Sequence, residues 1–361
     1  KFINKWGVVY KKLLQRNPSR HYELLKKSFK KNEIHKRNYD LIFYLPTINQ
    51  KIGGIHSVID ICNELILNGY NATVIVVGNT NFDLVNFSEP FLFSPIYVDD
   101  DIEFIKKAKK IKFKSLVSTI YTSAKSCSEI CKFLGKTHIQ FIQGVEYLFD
   151  GGSAFNEVLN SYKYGDYFVF VSKFVKDSFF NIRQLNSQEY SIIPPHVNRN
   201  VFFSTKKRRK YDIAFFIRDA QDKGQVFLIK HLIELVKLKL KIVVLGQKFD
   251  ELSPKVDFFP ETLSRVNIAK IFRETKIFVD LSINEGFGLV GLEAISSGCK
   301  LIYYNNGGVH AYIDKNKDKF CINDPSDSKE ILKKIKLKDK NSLLTNQNSW
   351  LKLVKKFDNL R

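Results

Sequence analysis

Two carboxylates, Glu285 and Glu293, stand eight positions apart in the run Glu285-Gly-Phe-Gly-Leu-Val-Gly-Leu-Glu293. An apolar run from Lys276 to Leu281 precedes them and a helix-like run ending at Gly298 follows. That order reads as strand, glycine-rich turn, helix. A helix start presents unpaired N–H groups and a partial positive charge, which suit an anion. The carboxylates suit a different task, accepting hydrogen bonds from the hydroxyls of a ribose or another sugar. A place for phosphate flanked by two places for hydroxyls is the chemistry of a nucleotide-sugar site.

Further residues fit the same ligand. Arg218 and Lys223 bracket a loop that follows an apolar run, and Gly224 comes next. Arg can grip a pyrophosphate with two parallel hydrogen bonds and Lys adds a point charge. Two solvated charges in a basic protein would read the same, and the later carboxylate pair tips the balance to phosphate. Gly53-Gly54 occupies the corresponding loop of the first half, either for close approach of backbone amides to a ligand or for a tight turn. Gln143-Gly-Val-Glu146 follows an apolar run at His138–Ile142 and would project toward the ligand from that half. Glu146 reads as an acid or base, as a partner for an acceptor hydroxyl, or as a solvated turn residue. His196, after Pro194-Pro195, is either a phosphate or sugar contact or an ordinary loop histidine, and His56 and His310 stand the same way. The triplet Asp99-Asp-Asp101 could pass for a metal-binding acidic pair but is expected to close a loop. Magnesium is usually held by one or two carboxylates together with substrate phosphates. Arg218, Lys223 and the helix start can neutralise those phosphates instead, so no metal and no cofactor is expected.

The elements that must position these residues alternate. In the first half, strands are expected at Tyr39–Leu45, Ala72–Val77, Phe91–Tyr97, Ser115–Ile120, His138–Ile142 and Tyr167–Val171. A loop over 46–56 leads to a helix at Ser57–Leu67, where Ser57 with Asp60 resembles a capping box. Pro194-Pro195 then breaks regular structure. Thr205-Lys-Lys-Arg-Arg-Lys210 reads as a charged linker. The pattern restarts with strands at Ile213–Ile217, Ile242–Leu245, Ile277–Leu281 and Leu301–Tyr304, and helices at Gln225–Leu238, Ser264–Arg273 and Gly288–Ser297. Strands alternating with helices imply parallel sheets covered on both faces, with ligands outside the carboxyl ends of the strands. The chain therefore divides into a basic extension (1–38), two Rossmann-like domains (39–205 and 206–340) and a C-terminal helix (341–361) that packs back across the junction.

The 361 residues are 44% hydrophobic, with 31 Phe and 16 Tyr, which excludes disorder and suffices for two cores. No apolar run reaches the length of a membrane span, and the N-terminal segment lacks the apolar core and cleavage site of a signal peptide. The five cysteines show no metal-ligand spacing and read as buried thiols of a reducing compartment. A net charge of +21 reflects either lysine-rich composition or attraction to phosphate-rich partners.

Glu285-x7-Glu293, continuing as Glu-Ala-Ile-Ser-Ser-Gly298 and preceded by Arg218-x4-Lys223-Gly224, resembles the retaining glycosyltransferases of family 4. Val171-Ser-Lys173 and Ile193-Pro-Pro-His-Val197 look like further landmarks of that family. The resemblance runs over roughly residues 39–310, specific in the second half and loose in the first. It implies the α/β GT-B fold, two doubly wound Rossmann-like domains facing across a cleft. It implies that Glu293 holds the ribose, that Glu285 holds the transferred sugar, and that amides of Phe287, Gly288 and Leu289 meet the sugar or distal phosphate. Arg218 and Lys223 would neutralise the leaving diphosphate, while Gly53 and Gly54 approach the donor phosphates or the acceptor. Gln143 and Glu146 stand where many members carry a histidine, and Gln-x-x-Glu is more like a rhamnosyltransferase branch. Pro195-His196 replaces the usual Asn-Gly. The implied partners are a nucleotide sugar, a bacterial surface glycan or lipid-linked saccharide as acceptor, and the inner face of the membrane, in the cytoplasm. The alternatives are a sugar-nucleotide epimerase on the same scaffold and a non-catalytic polyanion binder; nucleic acid is disfavoured because no nucleic-acid module accompanies the charge.

Overall fold

Apolar runs between amphipathic helices build two separate parallel sheets. The computed structural model describes residues 38–46, 53–78, 91–183, 189–252, 255–260, 263–344 and 349–359. The basic extension falls outside the described residues, apart from Asn38.

In the first domain the elements run β1 (Asn38–Leu45), α1 (Gly53–Leu67), β2 (Ala72–Val77), β3 (Ile96–Val98), α2 (Asp101–Ala108), β4 (Lys112–Ser118), α3 (Tyr121–Leu134), β5 (Thr137–Ile142), α4 (Phe155–Ser161), β6 (Tyr167–Phe170), α5 (Lys173–Arg183) and β7 (Tyr190–Ile192). The sheet order is β3-β2-β1-β4-β5-β6-β7, and every pairing is parallel. The chain lays β2 and β3 on one side of β1, then crosses to place β4 on the other. The gap between β1 and β4 is thus a topological switch point, where loops diverge and leave a crevice. The central strands are buried on both faces, as their unbroken apolar runs require.

In the second domain the order along the chain is β8 (Tyr211–Ile217), α6 (Gln225–Val236), β9 (Ile242–Gly246), β10 (Val256–Phe259), α7 (Arg265–Arg273), β11 (Thr275–Asp280), α8 (Leu289–Ser296), β12 (Lys300–Tyr304), β13 (Cys321–Ile322) and α9 (Ser328–Lys336). Its sheet order is β10-β9-β8-β11-β12-β13, again parallel throughout. The switch point lies between β8 and β11, whose register pairs Ile213 with Ile277 and Phe215 with Val279. The loops after β8 and after β11 therefore leave the sheet side by side.

Several boundaries differ from the sequence reading. The chain divides at His196/Val197 rather than at the basic run. Arg273 donates to the Val201 carbonyl (2.8 Å), and Arg209 to the carbonyls of Phe272 and Thr275, so residues 197–210 are bound into the second domain. The last helix, α10 (Trp350–Asn359), clusters with the first domain. Trp350, 2% exposed, sets its ring edge-on to Phe43 and Phe141 of the first sheet at 5.2 and 5.1 Å. Strand β3 begins only at Ile96, not Phe91, because Pro95 has no N–H for the ladder. Helix α1 begins at Gly53, so Gly53, Gly54 and His56 form its first turn rather than a loop. Ser57 lies inside that helix and donates to the Gly53 carbonyl (3.3 Å) instead of capping. Asp100 and Asp101 do more than close a loop. Asp100 caps α2 by accepting from the Glu103 amide (2.7 Å), and Asp101 accepts from Tyr44 Oη (2.7 Å).

Candidate active site

The second domain gathers its charged residues at the β8/β11 switch point. Arg218 follows β8 directly and Lys223 closes a short 3-10 turn at Gln221–Lys223. Gly224 then starts α6 with φ +67°, and a Cβ there would lie 2.1 Å from the Leu281 carbonyl oxygen. Only glycine lets the two loops approach so closely. Backbone amides of Ile283 and Asn284 donate to the Asp222 carbonyl at 2.8 and 3.2 Å, tying the loops together.

Lys223 Nζ donates to Glu285 Oε1 (3.1 Å) and to the Asn284 carbonyl (3.2 Å), and pairs with Asp222 (3.2 Å). Lys223 and Glu285 keep 22% and 17% of their side chains exposed, so the pair lines a surface. Burial pushes the lysine's pKa down, but the charges of Glu285 and Asp222 outweigh it and the net direction is up. Lys223 stays cationic through neutral pH. Arg218 stacks its guanidinium on Phe216 (5.0 Å), and its charge acts on Lys223. Its Nε is buried and meets no hydrogen-bond partner among the described residues, a state that costs free energy unless a ligand completes it. Glu285 and Asp222 balance Lys223, so the buried Arg218 Nε is the donor that a diphosphate oxygen would complete.

Glu285 is held by its backbone through an isolated bridge to Gly307. Phe287 is buried and its ring lies 5.1 Å from that of Tyr312, so its amide rather than its side chain remains for a ligand. Gly288 is the N-cap of α8 and Leu289 its first residue, which puts the expected anion-binding amides at a helix start. Below them Asp280 accepts from the amide and hydroxyl of Ser282 (3.0 and 2.6 Å). Burial and the neighbouring Glu285 charge raise its pKa.

Glu293, in the second turn of α8, is buried. Arg265 donates to its Oε1 from Nε (3.1 Å) and Nη2 (2.6 Å). The arginine also stacks over Phe202 (5.1 Å). A carboxylate gripped twice by one guanidinium is fixed in orientation. Arg265 was not singled out in the sequence, since its only local signal is a place just after the N-cap Ser264. Asp222, Asp280 and Tyr312 escaped notice in the same way.

The first domain brings Gly54, Gln143 and Glu146 together at the carboxyl ends of β1, β4 and β5. Gln143 Nε2 donates to the Thr119 carbonyl (3.2 Å), and a Cβ on Gly54 would come within 3.0 Å of Gln143 Oε1. Glu146 does not project as expected from the sequence. It is 3% exposed, and its Oε1 accepts from the Tyr121 amide (3.0 Å) at the start of α3. Its Oε2 is buried without a partner among the described residues. Burial lifts its pKa to about 8, with the Tyr121 hydrogen bond opposing. The reason is topological: the chain turns inward into a 3-10 segment at Glu146, and the carboxylate supplies the cap that Ile120 cannot. His196 is exposed and turns to Glu64, with Nδ1 3.5 Å from Oε2, rather than to Gln143 or Glu146. Among the described residues, no three His, Cys, Asp or Glu side chains gather as a metal site, and no helix is long and apolar enough to cross a membrane.

Residues 197–349, which span the second domain, match the model of the family described as glycosyl transferases group 1. An alpha-1,6-glucosyltransferase of Actinobacillus pleuropneumoniae serotype 7 (strain AP76) is 22% identical in an alignment of 279 residues that covers 74% of this chain and 74% of the relative. Among solved structures, Anabaena HepE in complex with UDP and glucose aligns with TM-score 0.65 at 13% identity, over 82% of this chain and 89% of HepE. The sucrose-phosphate synthase of Thermosynechococcus elongatus aligns with TM-score 0.67 at 13% identity, over 82% and 88%. A mutant of S. aureus TarM, in complex with fondaparinux, alpha-GlcNAc-glycerol and UDP, aligns with TM-score 0.63 at 11% identity, over 89% and 93%. Two Rossmann-like parallel-sheet domains with such neighbours make the fold GT-B.

Proposed function

We propose that the chain is a retaining glycosyltransferase that moves a sugar from a nucleotide-diphosphate donor to a hydroxyl of a glycan or lipid-linked saccharide. The observation that carries this reading is Lys223 meeting Glu285 at the β8/β11 switch point, within reach of the charge of Arg218, whose Nε is buried and unpartnered among the described residues. In the proposed step the bond from the anomeric carbon to the phosphate oxygen breaks, and the electron pair leaves with the diphosphate. Arg218 and Lys223 offset the charge that develops there. The acceptor oxygen bonds to the anomeric carbon on the face the diphosphate leaves, and its proton passes to a phosphate oxygen. Configuration is thereby retained. Glu285 orients sugar hydroxyls, Glu293 the ribose, and the start of α8 the distal phosphate. These cations do what a divalent metal would otherwise do, so the proposed reaction is metal-independent. A net charge of +21 favours an acceptor or a location near anionic lipid.

UDP heads the trial donors because two of the fold neighbours were solved with it. Thermal shift with UDP, GDP, dTDP and ADP sugars identifies the base. Donor at about a hundredfold above its Kd should stabilise the chain by about 2.7 kcal/mol. Transfer and donor hydrolysis are then followed in Arg218→Ala, Lys223→Ala and Glu293→Ala, with loss expected in each. Wild-type rates in all three reject the assignment.

A further inference from the structure

Tyr312 lies at the end of a 3-10 turn after β12 and is almost fully buried. Its hydroxyl donates to the Gly288 carbonyl at 2.9 Å. Gly288 is the N-cap of α8, in the left-handed conformation with φ +81°. Its carbonyl also accepts from the Leu292 amide (3.3 Å). The phenol occupies space that side chains on α8 would otherwise fill: a Cβ on Gly288 would stand 3.2 Å from the hydroxyl, and one on Gly291 2.6 Å. The ring packs on Phe287 at 5.1 Å. Tyr312 is itself anchored, its amide donating to the Val309 carbonyl (3.2 Å) and its carbonyl accepting from Leu344 (2.9 Å).

These contacts act on one point. An N-cap carbonyl runs with the helix, while the amides of the first turn point the opposite way, toward any ligand at the helix start. Anchoring the Gly288 carbonyl from beneath sets the direction of the amides that follow. Gly288 has no Cβ to hold it there and is the most mobile residue type in free chain.

We infer that Tyr312 is a positioning residue for the diphosphate end of the site: its hydroxyl aims the first-turn amides of α8 at the distal phosphate. This rests on the proposed function, because it takes the α8 start to be the place of that phosphate. Burial keeps the phenol protonated, and the nearby charges of Asp280 and Glu285 act in the same direction, so it remains a donor at any working pH.

The test is calorimetric binding of UDP, GDP, dTDP or ADP, whichever wild-type binds most tightly, set beside the matching monophosphate. Tyr312→Phe keeps the ring, and so its packing, and removes only the hydroxyl. Affinity for the diphosphate should fall about fivefold, as for one hydrogen bond, with less than about a twofold change for the monophosphate. Tyr312→Leu, which also loses the contact with Phe287, should show the same selectivity with a larger loss. Equal losses for both nucleotides would mean general loosening of the domain and would overturn the inference, as would no loss for either. Wild-type protein that binds no diphosphate overturns the transferase reading and this inference with it. Diphosphate binding in wild-type with unchanged selectivity in Tyr312→Phe overturns the inference alone.

Discussion

Glu146→Gln should stabilise the first domain at alkaline pH and change little in acid. The wild-type carboxyl is fully enclosed, and burial lifts its pKa from 4.5 to about 8. The folded state then holds a proton that the unfolded chain releases. This contribution is fully present below pH 4.5 and is lost as pH rises through about 8. Across that window wild-type stability should decline by about 1.4 kcal/mol per pH unit relative to the glutamine variant. The total is on the order of 3–5 kcal/mol. Glutamine keeps an oxygen for the Tyr121 amide, so the cap survives the substitution. Trp350 makes the assay direct, since its ring packs on Phe43 and Phe141 of the first sheet. With Trp6 replaced by Phe in both chains, urea unfolding followed by tryptophan fluorescence at pH 5, 6, 7, 8 and 9 isolates that domain. The two stability curves should meet near pH 5, diverge up to about pH 8 and hold a constant separation above it. Curves that stay parallel within about 0.5 kcal/mol, near the additivity error of such differences, would show that Glu146 is ionised in the fold. The argument from burial would then be refuted.

Arg265→Ala should cost the second domain about 3–5 kcal/mol, because Glu293 would keep a buried charge with its guanidinium gone; a melting temperature within a degree of wild-type would contradict this. Gly224→Ala should push the Lys223 loop off the Glu285 loop, since its methyl would meet the Leu281 carbonyl oxygen at 2.1 Å. Donor binding should weaken at least tenfold, about 1.4 kcal/mol, and unchanged titration curves would rule out the close approach of these loops as a requirement.

Much of the scaffold was legible because its determinants are local. A strand buried on both faces needs an unbroken apolar run, a helix start needs glycine or a small polar cap, and proline ends a ladder. Those rules located most strands of both sheets and the strand–turn–helix around Glu285 and Glu293, together with the loop carrying Arg218 and Lys223. They failed at Gly53, where the helix starts earlier than the pair of glycines suggests, because glycines at a helix start and glycines in a loop leave the same local signal. They also missed α3, whose first amide is capped by Glu146, 25 residues away, rather than by a neighbour.

What the sequence determined by itself is the set of pieces: alternating strands and helices, two runs of them, and an acidic pair beside a helix start. Which pieces meet was decided by tertiary structure, because strand order in a sheet is set by non-local packing. Placing β11 beside β8 is what brings Lys223 to Glu285, 62 residues apart. Arg265 reaches Glu293 across 28 residues and Tyr312 reaches Gly288 across 24. Burial is likewise a property of the whole fold, so Glu146 could read as a surface acid in the chain and become an enclosed, proton-holding cap in the molecule.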